Sequence, residues 1–277
     1  MTLDESLGCF IGGAIGDALG GPVEFKSEGS FLLVTEMIGG GTFNLAEGEW
    51  TDDTAMAVCI ADAYIKSRRF NSSMIAHNFQ LWLENGSFGT RDYCFDVGVT
   101  THNSLFNVTE RRPYAGENVR DASGNGSIMR SAPIAVFNWR NTYDAVADGI
   151  ACSLITHGNT DTIRYMTAWM AELLEGKQLE QFYRLRPYNF RQENGKGSIM
   201  YAYNRAWQCV LSTSSFEEAV IKAVNYGDDA DTVGAVTGIL AGRIYGYKNI
   251  PQRWLDKLVQ LKYLERLTRA LHSIGHL

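Results

Sequence analysis

Glycine recurs at every fourth position near the N-terminus, at Gly8, Gly12, Gly16 and Gly20. On a helix this spacing puts all four on one face. Glycine in a helix interior costs roughly 1 kcal/mol relative to alanine. Four such positions on one stripe predict a second helix backbone packed directly against it, near the centre of the fold. A membrane helix pair is excluded, because Asp17 interrupts an apolar run too short to span a bilayer. A dinucleotide-binding turn is excluded too, because no strand precedes the segment and Gly-x-Gly-x-x-Gly is absent.

Helical spacing dominates the rest of the chain. Residues 142–156 place Ala145, Val146, Gly149, Ile150, Ser153 and Leu154 on one face, and residues 161–175 do the same with Ile163, Met166, Trp169, Met170, Leu173 and Leu174. Residues 198–211 repeat the pattern with Ile199, Tyr203, Ala206, Trp207 and Val210. Ser215 and Glu218 read as a capping box before Ala219, Val220, Ile221 and Val224. Leu258, Leu261, Leu264, Leu267 and Leu271 space a C-terminal helix, and only Phe31 to Thr35 looks weakly like a strand. Gly and Asn clusters at 39–44, 85–89, 123–127, 157–159 and 194–197 read as loops. With no long linker, composition shift or sequence repeat, one all-α domain over residues 1–277 is the economical expectation.

The 277 residues suffice for a sizeable core, and 45% hydrophobic with 20% charged residues is ordinary for a soluble globular chain. A net charge of −6 and a pI near 5.4 argue against nucleic acid or an anionic membrane held by a basic surface. A phosphate-bearing small molecule needs only local donors and stays open. No apolar run approaches 20 residues, and no signal-like segment is seen. Five scattered cysteines without a Cys-x-x-Cys pair read as reduced core thiols in a cytoplasmic protein.

Two acidic clusters carry the chemistry: Trp50-Thr51-Asp52-Asp53-Thr54 and Gly227-Asp228-Asp229-Ala230-Asp231-Thr232. Each opens an apolar helical stretch. Asp and Thr are favoured at helix N-termini, where they cap the backbone and offset the dipole. A cap needs one side chain, whereas adjacent carboxylates repel. Asp52 beside Asp53, and Asp229 two residues from Asp231, exceed what capping requires, and cations would neutralise them. With no His or Cys at ligand spacing, an oxygen-only set favours Mg²⁺, Mn²⁺ or Ca²⁺. An EF-hand fails, since Val233 and Leu240 stand where that loop needs oxygen ligands. Walker A and His-Glu-x-x-His motifs are absent. Carboxylates around two ions would form a clamp able to activate water.

Other polar groups suggest a ligand. Gly124-Asn125-Gly126-Ser127-Ile128-Met129-Arg130 is a Gly-rich turn entering a helix, able to hold a phosphate on its amides with Ser127 as a further donor, or simply to cap. His157 follows one helix and precedes another, where a C-cap is the ordinary role. Glu24 follows a Gly-Gly-Pro turn and could project into a shared centre. Asp96 reads as the start of a helix, with capping its default.

In this order the motifs resemble one family, the ADP-ribosylglycohydrolases, including the dinitrogenase reductase-activating type. The matching stretches are Gly12–Gly20 running to Pro22-Val23-Glu24-Phe25, Trp50–Thr54, Asp96-Val97-Gly98, Asn125–Arg130 with Pro133, Thr156-His157-Gly158 and Gly227–Thr232, covering roughly residues 4–256. The resemblance implies an all-α orthogonal bundle with two divalent ions, usually Mg²⁺ or Mn²⁺. By resemblance Thr51, Asp52 and Asp53 match one ligand set, and Asp229, Asp231 and Thr232 the other. Glu24 matches a glutamate near the second ion, and Asp96 a position credited with acid–base work. Asn125, Gly126, Ser127 and Met129 match the loop that cradles ADP-ribose, and His157 lies near the ligand. Ala230 departs from the Gly-Asp-Thr-Asp-Thr run of many members, and Asp228 replaces a common Gly. The implied activity is hydrolysis of the bond from ADP-ribose to a protein side chain, with arginine preferred over serine or O-acyl linkages. The expected partners are ADP-ribose and an ADP-ribosylated protein, with no nucleic acid or membrane, and the chain is expected to be a monomer. A non-catalytic ADP-ribose-binding module and a structural protein are the rival readings.

Overall fold

The computed structural model describes residues 1–117, 123–185 and 195–275. Asn194, at the edge of one expected loop, lies outside them. Helices α1 (Leu3–Gly20), α2 (Asp52–Ser67), α3 (Ser72–Asn85), α4 (Val99–Asn107), α5 (Ala132–Phe137), α6 (Thr142–Ser153) and α7 (Thr160–Glu175) make the first part. Then come α8 (Lys177–Leu185), α9 (Ile199–Leu211), α10 (Phe216–Val224), α11 (Ala230–Tyr245), α12 (Gln252–Leu255) and α13 (Leu261–Ile274). Among the described residues, β structure is limited to isolated bridges. The all-α expectation holds.

The glycine stripe of α1 meets a second stripe on α11. A Cβ on Gly8, Gly12, Gly16 or Gly20 would overlap the backbone carbonyl of Gly242, Gly238, Gly234 or Ala230 respectively. The two helices therefore run antiparallel with their backbones touching, residue 8 against 242 and residue 20 against 230. Both are buried along nearly their whole length, α1 from Ser6 and α11 from Ala230 to Ile244. A helix buried on every side belongs at the middle of a bundle. The other helices pack around this pair over one apolar core that includes Trp50, Trp169, Trp207 and Trp254.

Local signals fix the helix starts. Thr2 and Glu5 form a reciprocal capping box on α1. Asn71, Asn159 and Ser198 cap α3, α7 and α9. Ser215 caps α10 as expected, but the Glu218 carboxylate reaches back to Ser214 N and Oγ at 2.9 Å, so the box is not closed on the cap residue. Two other expectations need correction. Residues 31–35 form no strand, because the Asn225 side chain takes both the N–H and the carbonyl of Val34 at 2.8 Å. Leu258 precedes α13 in a turn, since Gln260 caps that helix in the left-handed region.

Asp17 is the fold's least expected anchor. It is fully buried on α1, and its carboxylate accepts four bonds from the start of α2. These are Thr51 N and Oγ1 on Oδ1, both at 2.9 Å, and Thr54 N and Oγ1 on Oδ2, at 3.0 and 2.6 Å. The first acidic cluster is thus tied to the central helix.

Replacing Gly238 by Ala is expected to destabilise the protein by about 2–3 kcal/mol, because the helix-propensity gain is smaller than the cost of forcing two backbones apart. Gly98→Ala, where an added Cβ meets nothing within 4 Å, is expected to stay within about 0.5 kcal/mol. Urea unfolding of both variants checks the pair. Asp17→Asn is expected to cost at least about 2 kcal/mol in the same measurement, since a charged acceptor of four bonds is lost.

Candidate active site

The packing of α1 on α11 brings three chain segments together. The short turn Gly21–Val23 carries the chain from α1 to Glu24, α11 begins beside it with Asp229 and Asp231, and Asp17 holds the opening of α2. A reciprocal pair of backbone bonds, Phe25 N to Asp228 O and Asp228 N to Lys26 O, both 2.6 Å, ties the Glu24 segment to the second cluster. Phe25 and Asp228 both sit at positive φ, 62° and 54°, a conformation rare for residues with bulky side chains and often found at functional sites.

Asp96 reaches the centre from the loop after α3. Glu49 holds that loop by a two-pronged ion pair to Arg91, at 2.7 and 2.8 Å, and the guanidinium lies 4.4 Å from the Phe95 ring centre. This partner and Ala46 N keep the Glu49 carboxyl down at about 2 despite opposing burial. Asp96 does not start a helix. It has φ 54°, and α4 begins at Val99 with Gly98 as its cap.

Carboxylate oxygens of Glu24, Asp229 and Asp231 lie within 4.8 Å of one another, as do those of Asp52, Asp96 and Asp231. Asp231 belongs to both trios. Asp53 belongs to neither. Its two oxygens are buried with no hydrogen-bond partner among the described residues, and Asp53, Thr51 and Ser127 are not among the residues that line the adjoining cavity. Capping explains neither cluster, since Thr51 and Asp229 make no side-chain cap bond to their own helices. Asp229 Oδ2 instead accepts from Asn125 Nδ2 at 2.6 Å.

Burial drives the carboxyls of Asp52, Asp53 and Asp231 well above the usual range, and mutual repulsion adds to it. Glu24 is raised by burial first and then by Asp231 and Asp96. Asp96 is pushed up to about 7 by burial and the charge of Asp17, and burial takes Asp17 to about 6 against the pull of its four bonds. Glu24 Oε2, Asp96 Oδ2 and Asp231 Oδ1 are buried with no hydrogen-bond partner among the described residues. Oxygen donors held this close, and left unpartnered, fit hard divalent cations.

The cavity beside these groups has a volume of about 540 Å³. Glu24, Asp52, Asp96, Asp228, Asp229 and Asp231 line it, and opposite charge comes from Lys196, which is paired to Asp228. Gly124, Asn125, Gly126, Met129, His157 and Thr232 also line it, together with Phe25, which is 63% exposed. In the Gly-rich turn the Asn125 amide is committed to Gly197 O, while Ile128 and Met129 close on Asn125 O. Among the described residues this leaves the Gly126 amide, on the cavity wall, for a ligand. His157 is no helix cap: its ring is buried, faces the cavity, and is kept neutral because burial and Arg130 push it down to about 3.

Asp17, Phe25 and Lys196 were not among the expected site residues. Asp17 had a readable signal, a lone carboxylate within an apolar glycine stripe predicted to be central. Phe25 and Lys196 had none, because their place at the cavity comes from strained or distant backbone.

A family model described as ADP-ribosylglycohydrolase matches residues 1–276. An ADP-ribosylarginine hydrolase of Serratia proteamaculans is 33% identical, over 98% of this chain and 79% of its own length. The ADP-ribosyl-(dinitrogen reductase) glycohydrolase of Rhodospirillum rubrum is 30% identical, over 98% of this chain and 95% of its own. A solved structure described as an ADP-ribosylglycohydrolase-related protein complex superposes with a TM-score of 0.84 at 31% identity, covering 99% of this chain and 98% of that one.

The raised carboxyls give the cation-free protein a definite pH dependence. Asp17 and Asp96 keep protons in the folded state up to about 6 and 7, while unfolded carboxyls release theirs near pH ~4. The folded state binds more protons in between, so stability falls as pH rises through that window. In EDTA the melting temperature is expected to drop from pH 5 to pH 7.5, and Mg²⁺ or Mn²⁺ to restore it most at pH 7.5. Scanning calorimetry at the two pH values checks both signs.

Proposed function

The chain belongs to the ADP-ribosylglycohydrolase family, and on that premise we propose that it is a divalent-cation-dependent hydrolase that removes ADP-ribose from arginine side chains of proteins. The observation that carries this reading is the pair of carboxylate trios sharing Asp231 on the wall of a nucleotide-sized cavity. A diphosphate would be repelled by so many carboxylates alone, so cations are part of the reading.

Asp52 and Asp231, with Asp96 alongside, form one holding set, and Glu24, Asp229 and Asp231 the other. Thr51 and Thr232 add hydroxyl oxygens, and Asp53 a buried charge behind them. When bound, the cations offset the carboxylate charge and act as Lewis acids toward ribose hydroxyls and water. The turn at Gly126 and Ser127, together with Asn125, Met129 and His157, orients the ADP-ribose. Cleavage of the C1″–N bond develops positive charge on the ribose, which the carboxylate wall stabilises. Glu24 Oε2 and Asp96 Oδ2 are placed to exchange protons. Between them they take the proton from the attacking water and deliver one to the leaving nitrogen.

Arginine as the leaving group is supported by the relatives named for ADP-ribosylarginine and dinitrogen reductase. It also suits the cavity, where exposed Phe25 continues into Phe43 and Phe95 with ring centres 6.2 and 5.6 Å apart. An exposed aromatic face beside an acidic wall attracts a guanidinium.

Asp229→Asn and Asp231→Asn are each expected to lower turnover at least about 100-fold with helical circular dichroism unchanged. The assay is release of ADP-ribose from an arginine-modified protein in Mg²⁺ or Mn²⁺, run beside serine-linked and O-acetyl substrates. Full cation-dependent activity in both variants would sink the two-cation reading. Tight ADP-ribose binding with no release from any substrate would establish a binding module instead.

A further inference from the structure

Arg130 is fully buried, yet among the described residues no carboxylate lies within ion-pair distance of it. Its guanidinium stacks 4.5 Å from the Phe79 ring centre, and Nη1 meets Met56 Sδ at 3.4 Å. Nη2 makes one long contact, to Cys152 O at 3.4 Å, and one short bond, to Thr156 Oγ1 at 2.7 Å. Thr156 Oγ1 in turn lies 2.7 Å from His157 Nδ1. Nothing in the catalytic scheme above uses this buried cation.

We infer that Arg130 and Thr156 form a relay that holds the His157 proton on Nε2, where it is donated to a diphosphate oxygen of ADP-ribose. The identity of that acceptor rests on the functional reading above; the relay itself does not.

The assignment follows from counting donors and acceptors. Arginine stays protonated and only donates, so Thr156 Oγ1 accepts from Nη2. The threonine hydroxyl then has one hydrogen of its own, and the acceptor within reach is His157 Nδ1. An Nδ1 that accepts leaves the ring proton on Nε2. A hydroxyl polarised by a buried cation is the stronger donor, so each bond reinforces the next. Arg130 also opposes a second proton on the ring, in keeping with the low His157 value.

The other face of the imidazole supports the same reading. Nε2 stands 3.2 and 3.1 Å from where a Cβ on Gly124 or Gly126 would lie, so the turn is bare where the ring approaches it. Among the described residues no protein group hydrogen-bonds Nε2, and His157 lines the cavity. In a cavity whose wall carries six carboxylates, a fixed neutral N–H beside the Gly126 amide matches an anionic oxygen. Ser104 Oγ, bonded to Thr156 O at 2.9 Å, steadies the segment from α4.

Arg130 and Thr156 are therefore positioning residues. Arg130→Met risks unfolding the core, so Thr156→Val, nearly the same shape, is the informative change, with Thr156→Ser restoring the hydroxyl. Nitrogen-15 and carbon-13 NMR of the full-length protein at pH 7.5 reads the His157 tautomer, with His157→Gln to assign the signal. Wild type and Thr156→Ser are expected to show the Nε2–H form, and Thr156→Val a mixture with the Nδ1–H form. Calorimetry is expected to show ADP-ribose binding about tenfold weaker in Thr156→Val, near the loss of one oriented hydrogen bond, and near wild type in Thr156→Ser. A Thr156→Val protein that keeps a pure Nε2–H ring, or a wild type in the Nδ1–H form, overturns the relay. The expected tautomers in a wild type that binds no ADP-ribose would overturn the functional reading while leaving the relay standing.

Discussion

The contact between the two central helices is made without side chains. Helices α1 and α11 touch through glycine backbones, and that contact fixes both their separation and their register. Sliding α1 by one residue would bring Ile11, Ile15 and Leu19 in one direction, or Cys9 and Asp17 in the other, against the facing carbonyls, so the alignment tolerates little drift. The consequence lies at one end of the pair. There α1 runs out into the turn bearing Glu24, and α11 begins with Asp229 and Asp231. Residues more than two hundred positions apart in sequence are thus set to within a carboxylate's reach of each other.

The site works against the stability of the frame that holds it. The carboxyls of Asp52, Asp53, Asp96, Asp231 and Glu24 are all driven upward by burial and by one another. Among the described residues no arginine or lysine is paired with the two trios; Lys196 answers Asp228 at the rim, and Arg130 stands a layer behind with Thr156 between it and His157. Among the described residues the negative charge of the trios is left without a cationic side chain, an arrangement that suits a bound cation. The protein spends its ordinary ion pairs elsewhere, as in Glu49 with Arg91 beneath the Asp96 loop.

Much of this was legible from residue spacing. The four-residue glycine repeat predicted a backbone contact, and the excess of acid over capping need predicted a shared centre. The partner stripe at Gly234, Gly238 and Gly242 went unread, because pairing of distant helices leaves no local mark. Asp96 was misplaced at a helix start because a left-handed backbone cannot be read from an aspartate alone. His157 was read as a possible cap because its sequence neighbours are a turn; its link to Arg130 through Thr156 depends on how α5, α6 and α7 come together. The strand at 31–35 failed for a related reason, since the Asn225 amide supplies the bonds a neighbouring strand would have made.

Asp17 shows how an acidic helix mouth can be stable and receptive at once. In most helices the first-turn carboxylates are occupied by the backbone amides they cap, and a ligand competes with that duty. Here the opening amide and hydroxyls of α2 are served from outside, by a carboxylate on another helix, so Asp52 and Asp53 owe the backbone nothing. A cation arriving at α2 need break no helical bond, and one leaving frays no helix. An ion held there would act on stability through the mutual repulsion of the carboxylates, which it relieves, and not through the hydrogen bonds that start the helix.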